Sequence, residues 1–369
     1  MEESKTVLSH LSLYELEQQL SHIPRYRAKQ IHKWILKGAD SFDKMTDIPL
    51  SLQNELKDKF LPFSSRIVSC HNDPPAKVEN KITGEAIKAV ISLHDESRIE
   101  SVLLNDGKKR YTACISTQAG CPAGCVFCKT GTLRFKRNLE VYEILEQFFH
   151  LQNICSSVSS EERNQNEHVI GSIVVMGMGE PLLNLENLKK AISVFTDSQG
   201  INFSKRRITV STCGICESLC DIAKNGPYVR LALSLVTADD KLRERLVPIS
   251  KSNPLSEIKK LLLLFQKNGG GRITLEVPLL GGINTREKDA LSIAEFADGL
   301  VTVINIIPWN PVAGLEFEGT PLREPERKET ADFIYMLEKI KLKVTTRFRK
   351  GRNVSGACGQ LGSVSEKYI

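Results

Sequence analysis

Apolar residues near the amino terminus recur at helical spacing. Leu13, Leu16 and Leu20 share one face of a helix, and a second apolar stripe follows Pro24, a residue that begins helices more readily than it continues them. A polar turn then leads into a third apolar run that ends near residue 60. The pattern predicts a small helical domain over residues 1–62.

The spacing then changes to strands. Short alternating runs predict a small β segment over residues 63–106. From 107 to 349, strand-like runs alternate with amphipathic helices, which predicts parallel βα units; a loop follows at 350–369. About 240 residues would suit eight βα units, but only six or seven units are evident, which favours a partial barrel. The predicted strands lie near 110–117, 169–176, 207–212, 229–235, 272–278, 301–307 and 343–348.

Composition places the chain among ordinary globular proteins. It has 369 residues and a net charge of +6, and no run of about 18 apolar residues predicts a membrane span. Its amino terminus lacks the features of a signal peptide, and its ten cysteines are mostly scattered, so we expect a cytoplasmic protein with reduced thiols. Basic residues cluster beside segments that we assign to the active site, and such clusters can hold nucleic-acid phosphates. The clusters are at 108–110, 134–137, 205–207 and 347–352.

One stretch carries distinctive chemistry. Cys121, Cys125 and Cys128 have the spacing C-x-x-x-C-x-x-C, and three soft thiolates can hold three corners of an iron–sulfur cube. The fourth iron is then open to a substrate, whereas a structural zinc usually takes four protein ligands. Phe127 could cover a bound ligand or simply pack in the core.

This stretch resembles the signature of the radical S-adenosylmethionine (SAM) superfamily, C-x-x-x-C-x-aromatic-C. The resemblance implies a 4Fe-4S cluster, SAM bound at the open iron, and an α/β fold with a partial (β/α)6 TIM-like barrel. Cys114, seven residues before the first ligand, and the run at 137–139 after the last narrow the resemblance to the RlmN/Cfr family of adenine methyltransferases.

Further matches lie at predicted strand ends, where barrel enzymes place their chemistry. The run at 176–184 contains Gly179 and Glu180 and resembles the SAM-binding Gly-Glu-Pro segment of the superfamily. Glycine lets the backbone approach a ligand closely, and the carboxylate could pair with an ammonium group of the ligand. Each of the three remaining positions alone could be a turn residue, but together they match the family's SAM contacts. They are Ser211, Ser234 and Asn310. Val236 departs from the family, which usually has His there, and Arg134 replaces a common Gly.

The resemblance assigns roles to three more residues. Glu100 is the implied proton acceptor, although from its strand alone it could be an ordinary outward-facing carboxylate. Cys358, set among glycines, matches the methyl-carrying cysteine; from the residues alone, a buried or idle thiol is favoured. Cys114 would then attack Cys358 to release the product as a disulfide forms. A second cysteine triple at 213, 216 and 220 fits core packing better than another cluster.

The implied function is methylation of an adenine in 23S ribosomal RNA, with transfer RNA as a further candidate substrate. Carbon 2 of adenine is preferred and carbon 8 is the alternative. Another radical SAM reaction on RNA, such as methylthiolation, would not need the Cys114 and Cys358 pair. A non-catalytic RNA-binding module with a structural metal would contain zinc without iron. We expect a monomer that uses an external electron donor and contacts no membrane.

Overall fold

The amino-terminal helices form as their patterns predict. The computed structural model describes residues 5–73, 77–78, 81–82, 86–105, 111–158, 170–346 and 351–362. Ser12 begins the first helix with a capping box, in which its hydroxyl accepts from the Glu15 backbone amide and the Glu15 carboxylate accepts from the Ser12 amide. The second helix begins directly after Pro24 and buries Ile31 and Ile35. These observations confirm the helical reading of this segment.

The elements follow one another along the chain in a regular alternation from residue 111 onward. The helices are α1 Leu13–Gln19, α2 Arg25–Leu36, α3 Leu50–Lys59, α4 Lys129–Thr132, α5 Val141–Val158, α6 Leu185–Thr196, α7 Cys216–Asn225, α8 Asp240–Leu246, α9 Leu255–Lys267, α10 Glu287–Ala297 and α11 Arg327–Lys339. The strands are β1 Thr6–Val7, β2 Phe60–Leu61, β3 Arg66–Asp73, β4 Lys77–Val78, β5 Lys81–Ile82, β6 Ala86–Ser92, β7 Arg98–Asn105, β8 Tyr111–Ile115, β9 Gln118–Ala119, β10 Arg137–Asn138, β11 Ile170–Val175, β12 Ile208–Thr212, β13 Arg230–Ser234, β14 Ile273–Leu279, β15 Thr302–Pro308, β16 Glu316–Phe317, β17 Thr320–Pro321 and β18 Val344–Thr346.

A ten-stranded sheet organises the molecule, in the order β18-β15-β14-β13-β12-β11-β8-β7-β6-β3. Within this sheet, seven strands are parallel and follow chain order: β8, β11, β12, β13, β14, β15 and β18. This order is expected when each crossover helix returns the chain so that the next strand starts at the same end of the sheet. The mixed α/β fold with a partial barrel is therefore confirmed. The strands β3, β6 and β7 extend this sheet as an antiparallel meander, in which β7 pairs with β8.

Helix amphipathicity explains the layers. On α9, the residues Leu255, Ile258, Leu262 and Phe265 recur at helical spacing and are all buried against the sheet side. The parallel strands carry their carboxyl ends to one edge, which is where the loops after β8, β11, β12, β13 and β15 meet. No helix in the described ranges is long and apolar enough to cross a membrane.

A buried carboxylate attaches the amino-terminal helices to the barrel. Glu146 on α5 accepts hydrogen bonds from the Ser9 hydroxyl at 2.8 Å and from the amide of Ser65 at 2.8 Å. Burial raises the pKa of Glu146, whereas these hydrogen bonds lower it. Phe63 also stacks on Phe149, with ring centroids 5.4 Å apart. The helical segment is thus held against α5 by both polar and aromatic contacts.

Candidate active site

The three cysteines of the motif line one cavity of about 190 Å³. They lie on the loop between β9 and α4, where the amide of Cys128 donates to the carbonyl of Cys125 at 3.2 Å. A Cβ on Gly131 would lie 2.6 Å from that same carbonyl oxygen, so the tight loop requires glycine there. The Trp309 indole donates to the carbonyl of Phe127 at 2.8 Å, which holds the loop from the far side.

The thiols of this loop suit a cluster with cationic iron. None of the ten cysteines, all of which lie in the described ranges, forms a disulfide, and burial raises the pKa of Cys121 to about 12. Burial likewise raises the pKa of Cys125 and Cys128. Bare thiolates are therefore disfavoured here, and metal coordination would offset that cost because it stabilises the deprotonated sulfur. Three soft donors facing one cavity fit three irons of a 4Fe-4S cluster and leave one iron open.

A buried carboxylate lies on the same cavity. Glu180 follows β11, lines the cavity and accepts from the Thr212 hydroxyl at 2.6 Å and from the Cys213 amide at 2.8 Å. Burial raises its pKa, and these hydrogen bonds lower it. Gly179 adopts φ +104°, and a Cβ there would lie 2.6 Å from Cβ of Gln118. The Gly-Glu pair therefore brings the carboxylate to the cavity wall through a turn that only glycine fits.

The ends of β12, β13 and β15 supply the other polar groups of this cavity. The hydroxyls of Ser211 and Ser234 lie 3.2 Å apart. Asn310 donates through Nδ2 to the carbonyl of Cys358 at 3.1 Å, while its buried Oδ1 has no hydrogen-bond partner in the described part of the chain. A buried acceptor without a donor fits a ligand that brings an N–H or O–H group. Val236 lines the same cavity with φ +67°, which is strained for a β-branched residue.

A second, larger cavity of about 570 Å³ lies inside the barrel. Cys114 on β8 and Cys358 both line it, and Cys358 also lines the cavity of the three cluster cysteines. Five residues line both cavities and thus mark where they meet: Met176, Ile307, Asn310, Cys358 and Leu361. We name the smaller one the cluster cavity and the larger one the barrel cavity. Cys358 therefore lies at the junction of the two cavities.

The loop that carries Cys358 is held by hydrogen bonds to the start of α4, directly after the loop of the three cluster cysteines, which we name the cluster loop. The Lys129 amide donates to the carbonyl of Gly359 at 2.8 Å, and the Thr130 hydroxyl donates to the carbonyl of Leu361 at 2.7 Å. The carboxyl-terminal loop and the cluster loop are therefore in direct contact.

Glu100 lies near this loop but lines neither cavity. It is fully buried on β7, where its Oε2 lies 3.4 Å from the ammonium of buried Lys88 and accepts from the Gly362 amide at 3.0 Å. An ordinary outward-facing carboxylate is therefore the wrong description. Lys88 was missed from the sequence, although a lysine within the buried strand Ala86–Ser92 was a signal.

The basic clusters differ in their surroundings. Arg137 is engaged by Asp95 at 2.8 Å and by Glu143 at 2.7 Å, so it serves as an internal ion-pair partner. Residues 108–110 and 347–350 lie outside the described residues.

Buried Arg243, which sequence reasoning also missed, donates to the carbonyls of Leu235 and Cys213 and so joins the loops after β12 and β13.

The comparisons with known proteins agree with this geometry. The Radical SAM superfamily matches residues 115–294, so the protein is a radical SAM enzyme, a class that uses a 4Fe-4S cluster and SAM. The Ribosomal RNA large subunit methyltransferase N-terminal domain matches residues 8–61. A probable dual-specificity RNA methyltransferase RlmN from Treponema denticola is 42% identical over 363 residues, which are 98% of this chain and 97% of the relative. The chain belongs to the RlmN family of radical SAM RNA methyltransferases.

Other relatives support the same assignment. A protein of the same name from Chlorobium phaeobacteroides is 37% identical, with 96% of this chain and 95% of the relative covered. The crystal structure of a radical SAM methyltransferase from Sphaerobacter thermophilus superimposes with a TM-score of 0.85 at 32% identity, covering 97% of this chain and 99% of that one. The resemblance inferred from the cysteine motif is therefore confirmed.

Proposed function

We propose that this protein methylates carbon 2 of an adenine in 23S ribosomal RNA by way of a methyl group carried on Cys358. The observation that carries the proposal is that the cluster cavity and the barrel cavity meet at Cys358. A thiol at that junction can take a methyl group on one side and deliver it on the other. The names of the relatives, RNA methyltransferases, support RNA as the substrate. Transfer RNA is the second substrate class that we expect.

The cluster cavity would hold the cofactors. Cys121, Cys125 and Cys128 would ligate three irons of the cluster, which, when bound, supplies the electron that cleaves SAM to a 5′-deoxyadenosyl radical. The polar groups around it would hold SAM: Gly179, Glu180, Ser211, Ser234 and Asn310. The Glu180 carboxylate suits an ammonium group, and the unpartnered Oδ1 of Asn310 suits a donor on the adenine or ribose.

Cys358 would first lose its thiol proton and take the methyl group of one SAM, forming a thioether. The ring carbon of adenine is not nucleophilic enough to attack SAM directly, so the methyl carbon must reach it as a radical. A hydrogen atom would therefore pass from the methyl group on Cys358 to the 5′-deoxyadenosyl radical, which gives 5′-deoxyadenosine, and the resulting methylene radical would bond to adenine.

Two further side chains would complete the cycle. Glu100 would accept the ring proton, which requires Gly362 to move off its carboxylate because the two are hydrogen-bonded at 3.0 Å. As this proton leaves, the radical adduct would give up one electron to the oxidised form of the external electron carrier. Cys114 would then attack the sulfur of Cys358, so that a disulfide forms, the carbon–sulfur bond breaks and the released carbon takes up a proton to give the methylated base. External thiols would reduce that disulfide. We further propose that the enzyme works as a cytoplasmic monomer with an external electron donor.

The test is anaerobic reconstitution followed by incubation with SAM, a reductant and unmodified 23S ribosomal RNA. Nucleoside mass spectrometry should detect methyladenosine from the parent protein and none from Cys358→Ala or Cys114→Ala. Cys70→Ala is the matched control because Cys70 is an exposed thiol on β3, away from both cavities, and it should retain activity.

The same experiment separates the alternatives. Chromatographic retention distinguishes carbon 2 from carbon 8, since the two isomers are resolved against standards. SAM cleavage without RNA methylation would mean that the radical chemistry is present and the substrate is wrong. Full activity of Cys358→Ala would contradict the methyl-cysteine route.

A further inference from the structure

Several residues at or just before the starts of parallel strands line the barrel cavity, and three of them are arginines. Side chains alternate along a strand, so Thr209 and Ser211 of β12 share one face, and Arg207 lies just before this strand. Arg207 and Thr209 line the barrel cavity, and Ser211 lines the cluster cavity. One inward face of the barrel thus runs from an arginine to the proposed SAM contacts.

Neighbouring positions complete the opening. Arg206 and Arg230 also line the barrel cavity, and Arg230 begins β13 opposite Thr209 of β12. We name Arg206, Arg207 and Arg230 the arginine rim. All three are exposed, and none has a side-chain hydrogen bond or ion pair within the described ranges. The cavity between the rim and Cys358 has no acidic lining residue in the part of the chain that the structure describes.

The charge of the arginine rim and the lining of the cavity behind it together indicate which kind of ligand could bind there. Three guanidinium groups that have no carboxylate partner among the described residues attract a polyanion, and guanidinium pairs bidentately with phosphate. The cavity behind them is lined by hydroxyls and an amide, from Thr112, Ser172, Thr209, Thr346 and Asn305. Cys358 lines the same cavity as these arginines, so a base that reacts there while its phosphates lie on the arginines must leave its stack and extend inward, as bases do in enzymes that modify them.

We propose that the RNA backbone docks on the arginine rim, so that the target adenine enters through the end at which the barrel strands begin. The base then meets Cys358 from the side opposite the three cluster cysteines. SAM and RNA would therefore approach the same sulfur from two cavities without crossing. This inference rests on the proposed function, because it takes RNA as the substrate.

The test compares two triple variants that remove the same charge. Arg206→Gln, Arg207→Gln and Arg230→Gln together remove the rim. Lys241→Gln, Lys288→Gln and Lys328→Gln together form the control. These lysines are exposed in the first turns of α8, α10 and α11, at the opposite end of the barrel, and line neither cavity. Affinity for a 23S ribosomal RNA transcript is measured against salt concentration for both variants and the parent.

Loss of three phosphate contacts should reduce the slope of log affinity against log salt by about 2, which corresponds to about 100-fold weaker binding at 0.1 M salt. The rim variant should raise KM for RNA and leave kcat at saturating RNA near the parent value. Its Cys358 should still gain a methyl group from SAM without RNA, as seen in the intact protein mass, because the cluster cavity is untouched.

Two outcomes separate the claims. If the rim variant binds RNA with the parent slope and affinity, or if the lysine control loses as much, RNA does not dock on the rim and this inference is overturned. If the parent protein itself transfers no methyl group to RNA, the proposed function fails instead. Circular dichroism melting of both variants confirms that the folds are intact.

Discussion

The cluster cavity takes its three most distinctive side chains from one short loop, whereas the barrel cavity takes one or two side chains from each of several strands. The cluster loop works as a unit because iron–sulfur ligation needs neighbouring thiols at fixed spacing. The barrel cavity needs only that certain positions face inward, so its chemistry is spread over β8, β11, β12, β13, β15 and β18. The cofactor side is therefore concentrated in sequence, and the substrate side exists only after folding.

The largest effect on activity is expected from removing a ligand on the cluster loop. Cys125→Ala removes one of three thiolate ligands and should abolish SAM cleavage, because two ligands do not hold the cluster in place. Iron and sulfide content after reconstitution and the yield of 5′-deoxyadenosine are the measurements. Cys220→Ala is the control, since Cys220 is a half-buried thiol on α7 that lines neither cavity, and its cluster content should match the parent.

A large effect on stability is expected at the strands beside the barrel. Lys88→Met leaves the Glu100 carboxylate buried without its ammonium partner, which costs about 3–5 kcal/mol in the free energy of unfolding. Urea unfolding measures the difference. Lys57→Met breaks the exposed pair with Asp43 and should cost less than about 1 kcal/mol. Equal losses in the two variants would mean that the buried pair contributes no more than a surface one.

A smaller effect is expected from the cluster-cavity carboxylate. Glu180→Gln keeps the size of the side chain and removes its charge, so SAM binding should weaken on the order of 10- to 100-fold through loss of the charge-assisted hydrogen bond to the ammonium group. Calorimetric titration of the reconstituted protein with SAM gives the dissociation constant. The Glu257→Gln variant changes a half-exposed carboxylate on α9 that lines neither cavity, and it should bind SAM as the parent does. Unchanged affinity in Glu180→Gln would remove Glu180 from the SAM site.

The smallest effect is expected at Val236, which departs from the usual family residue. Val236→His adds a polar group to the wall of the cluster cavity, and histidine tolerates the left-handed backbone better than valine does. One added hydrogen bond should tighten SAM binding by about 2- to 10-fold. The same titration measures it, and weaker binding would mean that valine already fits the bound ligand.

The contrast between the cavities also explains what could be predicted from the sequence. The cysteine motif and the alternation of strands and helices are local patterns, so the radical SAM class and the parallel sheet followed from them. The partner of Glu100 did not, because Lys88 and Glu100 lie on adjacent antiparallel strands and meet only through their register, in which Val90 faces Glu100. Arg230 gave no signal for the same reason: a single arginine at the start of a strand becomes a cavity residue only when the barrel curves.

The most direct test of the central claim follows the methyl group through Cys358. The reconstituted protein is incubated with SAM that carries a fully deuterated methyl group, first without and then with unmodified 23S ribosomal RNA. The masses of the Cys358 peptide and of the RNA nucleosides are then measured by mass spectrometry. The account predicts that label appears on Cys358 first and then on adenine with one deuterium lost, because a hydrogen atom is abstracted from the protein-bound methyl group. Methyladenosine that keeps the whole label, or that forms while Cys358 stays unlabelled, would contradict it.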